Sequence, residues 1–280
     1  MLSGDTRVAA VIGHPVRHSL SPAIHNAAFA ALDLDWAYVA FDVAPDATAG
    51  AIEAVRTLGI GGLSVTMPHK DGAARAVDRL TADAEALGAV NCVVPVEGGL
   101  LLGENTDGPG FLDALRVDQG VSPDGRRCVV LGAGGAARAV IRALAGAGAA
   151  EVIVVNRTPE RAAEAVALAG VVGRSGPPDA AADAEIVVNA TPVGMDGSAS
   201  PLPGLRFGAG QVVVDLLYHP AVTPLLARAE ADGATAANGL GMLVHQAAHA
   251  FGHWTGLEAP VTVMAAAARS GLEERSSRTH

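Results

Sequence analysis

The sequence predicts an α/β protein that folds as two domains. Its 280 residues exceed the range of about 100–200 residues that is usual for one domain, so each half can bury a core of its own. Runs of apolar β-branched residues alternate with longer alanine-rich stretches in which apolar side chains recur with helical spacing. That alternation is typical of helices packed over a mainly parallel sheet.

Nine segments have the composition and length of strands, and helical segments lie between them. We expect the strands at residues 7–12, 36–43, 62–66, 89–96, 100–103, 127–131, 151–155, 185–189 and 211–215. We expect a helix over residues 108–117, because the segment that follows, 118–125, is rich in glycine, proline and other turn formers. The boundary between the two domains is therefore placed near Asp107.

The composition excludes several classes of protein and partner. The chain has 29 acidic and 19 basic residues and a formal net charge of −10 at pH 7, so we expect no nucleic acid and no membrane as partner. Charged residues interrupt the most apolar stretches well before the ~18 residues of a membrane helix, and the first residues lack the basic region of a secretory signal. Cys92 and Cys128 stand alone in apolar segments, which favours buried thiols in a cytoplasmic protein.

A glycine-rich loop follows the predicted strand at 127–131 and precedes an alanine-rich helix. Its residues are Gly132, Ala133, Gly134, Gly135, Ala136 and Ala137. The first glycine permits a tight turn, Gly134 lets a pyrophosphate approach the backbone, and the small Ala137 lets the helix pack on the strand. The spacing G-x-G-x-x-A between a strand and a helix predicts a dinucleotide site rather than a plain glycine-rich turn.

The end of the next strand indicates which dinucleotide binds. A protein that binds NAD places Asp or Glu about 20 residues after the glycines, where the carboxylate binds the ribose 2′-hydroxyl. This chain has Asn156, Arg157 and Thr158 there, with Arg161 one turn later. Two guanidinium groups and a hydroxyl suit a 2′-phosphate, so we expect NADP. The alternative, a solvated helix start, is less attractive because cations oppose the dipole at a helix N-terminus.

Three polar segments of the first half each allow two interpretations. Ser21 precedes Pro22, which suits the first position of a helix, so Ser21 is a natural N-cap. Ser19 has no such role, and in an extended segment its hydroxyl would point with that of Ser21 toward one small anion. Lys70 is either a surface residue or, because it lies just beyond a predicted strand, a ligand-binding residue. Asp107 is either a functional carboxylate or a helix cap.

Eight segments, taken in order, resemble the shikimate dehydrogenase family over nearly the whole chain. They are Ser-Leu-Ser-Pro at 19–22, Val-Thr-x-Pro-x-Lys at 65–70, Gly-Ala-Val-Asn at 88–91, Asn-Thr-Asp-Gly at 105–108, Gly-Ala-Gly-Gly-Ala-Ala at 132–137, Asn-Arg-Thr at 156–158, Asn-Ala-Thr-Pro-Val-Gly-Met at 189–195, and Asn-Gly-Leu-Gly-Met-Leu-Val-His-Gln-Ala at 238–247. The resemblance implies an NADP-linked reductase that converts 3-dehydroshikimate to shikimate in the aromatic amino-acid pathway. It also implies an N-terminal α/β substrate domain, residues 1–106, to which C-terminal helices at 237–280 return, and a Rossmann-type NADP-binding domain at 107–236.

The resemblance further implies which residues act. The expected catalytic pair is Lys70 and Asp107. The expected substrate ligands are Ser19, Ser21 and Tyr218 at the carboxylate, and Thr66, Asn91 and Gln246, with the catalytic pair, at the ring hydroxyls and carbonyl. The expected NADP ligands are the six residues of the glycine-rich loop, Asn156, Arg157, Thr158 and Arg161, and Thr191, Gly239 and Met242 along the track from adenine to nicotinamide. The expected partner is a small-molecule substrate, and the expected assembly is a monomer or a homodimer.

Two features need separate interpretation. Ser64 stands where the commonest family pattern has asparagine, which weakens the hydrogen-bond network expected beside it. His245, His249 and His253 recur every four residues and would form one stripe on a helix. Because no carboxylate accompanies the stripe in sequence, we expect packed or solvent-facing histidines and no metal.

Two other functions fit much of the same pattern. One is an enzyme that oxidises quinate or acts on an aminated analogue of shikimate. The other is a catalytically silent protein that binds NADP. Lys70 and Asp107 argue against the silent protein, because binding of the cofactor alone does not require them.

Overall fold

The chain forms two compact units. A computed structural model describes residues 2–278, with side chains as far as Arg275. One unit contains the described residues up to Thr106 together with those from Val244 onward, and the other contains Asp107–Leu243. Each unit is built around a six-stranded sheet, so the α/β class expected from the sequence is confirmed.

The first unit has a mixed sheet. Its strands are β1 (Arg7–Gly13), β2 (Trp36–Asp42), β3 (Gly62–Val65), β4 (Arg79–Leu80), β5 (Cys92–Pro95) and β6 (Leu101–Glu104), in the order β2-β1-β3-β5-β6-β4. Its helices are α1 (Ser21–Ala31), α2 (Thr48–Thr57), α3 (Lys70–Ala76) and α4 (Ala82–Leu87). Strand β5 is antiparallel to both of its neighbours, β3 and β6, whereas β1 is parallel to β2 and β3.

The second unit has a parallel sheet. Its helices are α5 (Asp107–Asp113), α6 (Gly135–Gly146), α7 (Pro159–Ala167) and α8 (Pro224–Ala231). Its strands are β7 (Arg127–Leu131), β8 (Glu151–Val155), β9 (Gly173–Ser175), β10 (Ile186–Asn189), β11 (Val212–Asp215) and β12 (Thr235–Asn238), in the order β12-β11-β10-β7-β8-β9. Every strand pair of this sheet is parallel, so the carboxyl ends of its strands share one edge.

Two long helices complete the chain, and the second half of the first of them packs on the mixed sheet. They are α9 (Leu240–Thr255) and α10 (Val261–Arg278). In α9 the rings of Phe251 and Trp254 are almost fully buried, and the Trp254 indole N–H donates to the Val93 carbonyl of β5 at 3.1 Å. Phe251 lies 5.6 Å from the ring of Phe29 on α1. The apolar face of α9 is therefore part of the core of the first unit.

All nine expected strands are present, within a few residues of their expected ends. The expected mainly parallel arrangement is confirmed, with one exception at the centre of the first sheet, where β5 is antiparallel to both neighbours. Three short strands were not expected: β4, β9 and β12. Each is the outermost strand of its sheet, so its side chains are only partly buried and lack the apolar signature of a central strand. The helix expected at 108–117 begins at Asp107 and ends in a π-helical turn, Ala114–Asp118.

Among the described residues, no helix combines the length and the apolar character that a membrane span requires. Both cysteines are buried free thiols, and burial raises the pKa of the Cys92 thiol and raises that of Cys128 to about 12. These two residues therefore behave as small apolar core residues.

Gly62 tests the packing of α9 on the mixed sheet. A Cβ atom added at Gly62 would lie 2.3 Å from Cδ2 of Trp254, a buried ring that has no room to move. We expect Gly62→Ala to lower the free energy of unfolding by about 1–3 kcal/mol, the usual effect of overpacking. Gly50→Ala on α2 is the matched control, because a Cβ there meets nothing within 4 Å and alanine favours the helix by about 0.5–1 kcal/mol. Chemical denaturation of both variants measures the difference, and equal stabilities would contradict the packing described.

Candidate active site

One edge of the mixed sheet collects residues from four strands. The carboxyl ends of β1, β3 and β6 meet the amino end of β5 there, because β5 runs antiparallel to β3 and β6. The Val65 amide donates to the Asn91 carbonyl at 2.8 Å, and the Asn91 amide donates to the Glu104 carbonyl at 3.0 Å. The segments that begin at Thr66, Asn91 and Asn105 therefore leave the sheet side by side.

Asn91 fixes the segment that leaves β6. Its side-chain oxygen accepts the Thr106 amide N–H at 2.7 Å, and its side-chain nitrogen donates to the Thr106 hydroxyl at 3.0 Å. The Thr106 hydroxyl also lies 3.5 Å from Oε1 of Gln246 on α9. Asn91 and Thr106 are both buried, so these bonds are costly to break. Two of the expected substrate ligands, Asn91 and Gln246, are thus joined through Thr106, a residue that we did not single out.

The loop after β3 is held by a histidine that the sequence analysis missed. The Thr66 amide donates to the Ile12 carbonyl of β1 at 2.9 Å, and the His69 amide donates to the Thr66 carbonyl at 3.0 Å. The His69 ring is buried, with Nδ1 2.7 Å from the Thr48 hydroxyl and Nε2 3.0 Å from the Val43 carbonyl. Because both ring nitrogens are engaged, His69 anchors the turn that places Lys70, half-buried, at the start of α3.

The loop before α1 differs from our expectation. Ser21 is the first residue of α1 rather than its N-cap, and no side-chain capping bond is formed at that helix start, so the N-cap prediction was wrong. The segment is also not extended, because the Ser19 amide closes a turn onto the Val16 carbonyl at 2.8 Å. The Ser19 hydroxyl accepts the Ser21 amide N–H at 3.2 Å, and Arg275 of α10 donates to the Ser19 carbonyl at 2.9 Å. The loop is therefore held from both sides, and Ser19 has a structural role as well.

A tyrosine from β2 is the hydrogen-bond partner of the unusual Ser64. The Tyr38 hydroxyl donates to the Ser64 hydroxyl at 2.7 Å. Burial raises the pKa of Tyr38, so the phenol stays protonated and can act as a hydrogen-bond donor. At this position the shorter serine is partnered by the tyrosine hydroxyl. We expected Ser64 to weaken the local hydrogen-bond network. Its hydroxyl is instead bonded to Tyr38, a residue outside the recognised motifs.

His25 lies beside Tyr38, fully buried. Its ring stacks on that of Tyr38 with centroids 4.4 Å apart and planes 9° apart, and the Trp254 ring, tilted by 40°, lies 5.1 Å away. Neither ring nitrogen has a hydrogen-bond partner among the described residues. Burial lowers the pKa of His25 to about 3, so the ring is neutral.

The glycine-rich loop of the second unit has the backbone that its sequence requires. Gly132 has φ +107°, and a Cβ there would lie 3.1 Å from the Ala190 carbonyl oxygen. Gly134 occupies the N-cap of α6 with no side chain to cover it, and a Cβ at Gly134 or Gly135 would meet nothing within 4 Å. Ala137 is fully buried in the core beneath the helix. Ala133 and Ala136 complete this loop, which leaves an open approach to the N–H groups of the helix.

The segment after β8 is exposed and basic. The Asn156 side chain donates to the Thr158 carbonyl at 3.0 Å and shapes the turn. Thr158 is the N-cap of α7, but its side chain makes no capping bond. Arg157 and Arg161 are exposed, and neither forms an ion pair with a carboxylate in the described part of the chain. The segment therefore presents a hydroxyl and two cations that form no ion pair, although Glu160 lies in the same first turn of α7.

A buried carboxylate that we had not assigned organises the neighbouring loops. Asp215, at the end of β11, accepts hydrogen bonds from Asn189 at 2.9 Å and from the Thr223 hydroxyl at 2.7 Å. Burial is the main cause of the raised pKa of Asp215. The side-chain oxygen of Asn189 in turn accepts a hydrogen bond from the Thr191 hydroxyl at 2.7 Å. The only sequence signal for Asp215 is an acid at the end of an apolar strand.

The remaining expected site residues are distributed as follows. Gly239 packs tightly, since a Cβ there would lie 2.0 Å from the Leu216 carbonyl oxygen. Met242 is buried against the core of the second unit, and Tyr218 is half-buried after β11. Asp107 starts α5 in the second unit, whereas Lys70 belongs to the first. Their joint action stays a prediction.

The histidines of α9 do not share one environment. His245 is buried, His249 is half-buried and His253 is exposed. Within residues 2–278, no group of three or more His, Cys, Asp and Glu side chains is arranged to hold a metal ion.

Comparison with known proteins gives matches along most of the chain. Family models match residues 11–93 (shikimate dehydrogenase substrate binding domain), 127–218 (NADP oxidoreductase, coenzyme F420-dependent) and 239–269 (shikimate 5′-dehydrogenase C-terminal domain). The shikimate dehydrogenase (NADP(+)) of Citrifermentans bemidjiense is 49% identical over 273 residues, which cover 92% of this chain and 93% of that protein. That of Methanopyrus kandleri is 47% identical, with 94% and 95% covered. The structure of Thermus thermophilus shikimate 5-dehydrogenase with NADP(H) and shikimate is similar with a TM-score of 0.89 and 44% identity, covering 95% of this chain and 99% of that one.

The environment of His25 predicts a loss of stability in acid. The pKa of His25 is lower in the folded state than its ordinary value of 6.5. Its contribution to the free energy of unfolding is therefore fully present above about pH 6.5 and is lost as the pH falls toward 3. Between about pH 7.5 and pH 5 this loss amounts to about 2 kcal/mol. Urea denaturation of the wild type and of His25→Leu at several pH values measures it. We expect the slope against pH to be shallower in the variant, and parallel slopes would contradict the account.

Proposed function

Because the chain belongs to the shikimate dehydrogenase family, we propose that it catalyses the reversible reduction of 3-dehydroshikimate to shikimate with NADPH, in the aromatic amino-acid pathway. The observation that carries this proposal is the match to NADP-dependent shikimate dehydrogenases at up to 49% identity over more than nine-tenths of both chains. The edge of the mixed sheet supports it independently, because Thr66, Lys70 and Asn91 leave the sheet there beside one another.

The first unit binds the substrate in this proposal. Ser19 and Ser21, with Tyr218 of the second unit, bind the carboxylate, and the hydrogen bond from the Ser21 amide to the Ser19 hydroxyl ties the two serines together. Thr66, Asn91 and Gln246 bind the ring hydroxyls. The described contacts of Asn91 and Gln246 with Thr106 support this set, because they fix these side chains before any ligand arrives.

Lys70 handles the proton. In the direction of reduction its ammonium donates a proton to the ring carbonyl oxygen and stabilises the negative charge that develops there. In the direction of oxidation the neutral amine accepts that proton from the hydroxyl. Asp107 orients the ammonium and the reacting hydroxyl. The turn anchored by His69 gives Lys70 a fixed starting point on α3.

The second unit binds NADP, and its residues fit the group. The uncovered backbone at Gly134 and Gly135 admits a pyrophosphate at the start of α6. Arg157, Thr158 and Arg161, whose guanidinium groups form no ion pair in the described chain, make a cationic site for the 2′-phosphate. Thr191, Gly239 and Met242 continue the track. When bound, NADPH supplies the hydride that the ring carbonyl carbon receives.

The wider assignments follow from the same reasoning. Residues 1–106 and 237–280 form the substrate-binding domain, and residues 107–236 form the NADP-binding domain. The enzyme acts in the cytoplasm as a monomer or homodimer. The net charge of −10 supports the absence of a nucleic-acid partner.

The direct test is consumption of NADPH by the purified protein on addition of 3-dehydroshikimate, with appearance of shikimate. A silent NADP-binding protein would bind the cofactor but consume none. Activity with NADH and not with NADPH would contradict the assignment of the cofactor.

Lys70→Ala tests the catalytic role. We expect kcat to fall by about 10²–10⁴-fold, the usual contribution of a positioned acid or base. Arg75→Ala is the matched control, because it removes one exposed cation from the same helix and should leave kcat unchanged. Retention of more than half of the wild-type kcat by Lys70→Ala would remove Lys70 from the mechanism.

The choice between shikimate and quinate tests the carboxylate pocket. Quinate carries an additional hydroxyl on the ring carbon that bears the carboxylate. With Ser19, Ser21 and Tyr218 all engaged by the carboxylate, that hydroxyl is left unsatisfied at a cost of about 1–3 kcal/mol. We therefore expect kcat/KM for shikimate to exceed that for quinate at least about tenfold. Steady-state oxidation of both acids with NADP+ and NAD+ measures this, and equal or better turnover of quinate would favour the quinate enzyme.

A further inference from the structure

Arg138 places a cation at the start of α6 that has no partner among the described residues. It is the fourth residue of the helix, which begins at Gly135. Its Nε atom is buried and makes no hydrogen bond to any residue that the structure describes. No carboxylate in the described chain forms an ion pair with its guanidinium, whereas Arg142, one turn later, has a partner.

This placement of Arg138 is unfavourable unless an anion binds beside it. A buried N–H without an acceptor loses its hydration without replacement. A positive charge in the first turn also opposes the helix dipole. Both costs are removed when a phosphate group accepts hydrogen bonds from the guanidinium, and an arginine fork matches phosphate geometry.

The packing of α6 shows on which flank Arg138 lies. Ala139 and Ala143 face α5, because a Cβ at Gly108 would lie 3.1 Å from Cβ of Ala143 and 3.2 Å from the Ala139 carbonyl. Ala137 and Ile141 face the core. Successive residues are about 100° apart around a helix, so Arg138 lies on the flank opposite α5. The helix α7 also packs against α6 and follows β8, the strand next to β7, which places it on this flank.

That flank is the one next to Arg157 and Arg161. Strands β7 and β8 are adjacent and parallel, so the helices that follow them, α6 and α7, both begin at the same edge of the sheet. Side chains of a helix lean toward its N-terminus, which directs Arg138 to that edge. Arg157 directly precedes α7, and Arg161 lies in its first turn. Arg138, Arg157 and Arg161, none paired with a carboxylate of the described chain, therefore belong to two neighbouring helix starts at the same edge of the sheet.

We propose that Arg138 is a third ligand of the 2′-phosphate of NADP, together with Arg157 and Arg161. The inference rests on the proposed function, in which this unit binds NADP. Arg138 belongs to α6, the helix whose start receives the pyrophosphate in this proposal. The inference nevertheless assigns Arg138 to the 2′-phosphate, and therefore to the selection of NADP over NAD. A phosphate monoester carries close to two negative charges at neutral pH, and three cations on one side suit such a group.

Equilibrium binding to the protein without substrate tests the assignment. Isothermal titration of Arg138→Gln with NADP+ should give a Kd about 10- to 100-fold above that of the wild type, as expected for the loss of a charge-assisted contact. The Kd for NAD+, which lacks the 2′-phosphate, should stay within about twofold. Titration with 2′,5′-ADP and 5′-ADP repeats the comparison without the nicotinamide half.

Two further variants make the outcomes distinguishable. Arg142→Gln is the matched control and should bind NADP+ as the wild type does, because Arg142 lies one turn farther from the helix start. If Arg157→Ala weakens binding of NADP+ and Arg138→Gln does not, the role of Arg138 is overturned and the proposed cofactor site stands. If neither variant affects NADP+, the proposed cofactor site itself fails. An equal loss of NADP+ and NAD+ in Arg138→Gln would place Arg138 at the pyrophosphate or in the fold and overturn the inference.

Discussion

The reversal of β5 within the first sheet is the constraint on which the proposed substrate site depends. In a fully parallel sheet the amino end of β5 would lie at the opposite edge, far from the carboxyl ends of β1 and β3. Because β5 is antiparallel, Asn91 enters it at the same edge at which Thr66 and Thr106 follow their strands. The hydrogen bonds between Asn91 and Thr106 then fix the chain just before it enters the second unit.

The candidate site of the second unit depends on parallel strands, in contrast to the antiparallel strand of the first unit. All its strand pairs are parallel, so the loops after β7, β8 and β10 lie at one edge without any reversal. The close approach of Gly132 to Ala190 brings two of these loops into contact, and the buried Asp215 holds the second of them through Asn189. The first unit thus offers polar side chains with defined orientations, and the second offers backbone N–H groups and cations.

The sequence was most informative where chemistry restricts the residue type. The positive φ of Gly132 and the buried Ala137 follow directly from the spacing of the glycine-rich loop. The sequence was least informative about long-range partners. Tyr38, His69 and Asp215 acquire their roles from residues brought near by the fold, and the only local pattern is the acid at the end of an apolar strand that marks Asp215. The N-cap assigned to Ser21 failed for a related reason: the loop before α1 is shaped by Ser19 and by Arg275, more than 250 positions away.

The central claim is that the edge of the mixed sheet at the start of β5 is the substrate site. A crystal structure of the protein with shikimate tests it most directly. We expect the ring hydroxyls to lie within hydrogen-bond distance of Lys70 and Asn91, and the carboxylate to accept hydrogen bonds from Ser19 and Ser21. Shikimate bound elsewhere, with these four side chains making no contact to it, would contradict the account.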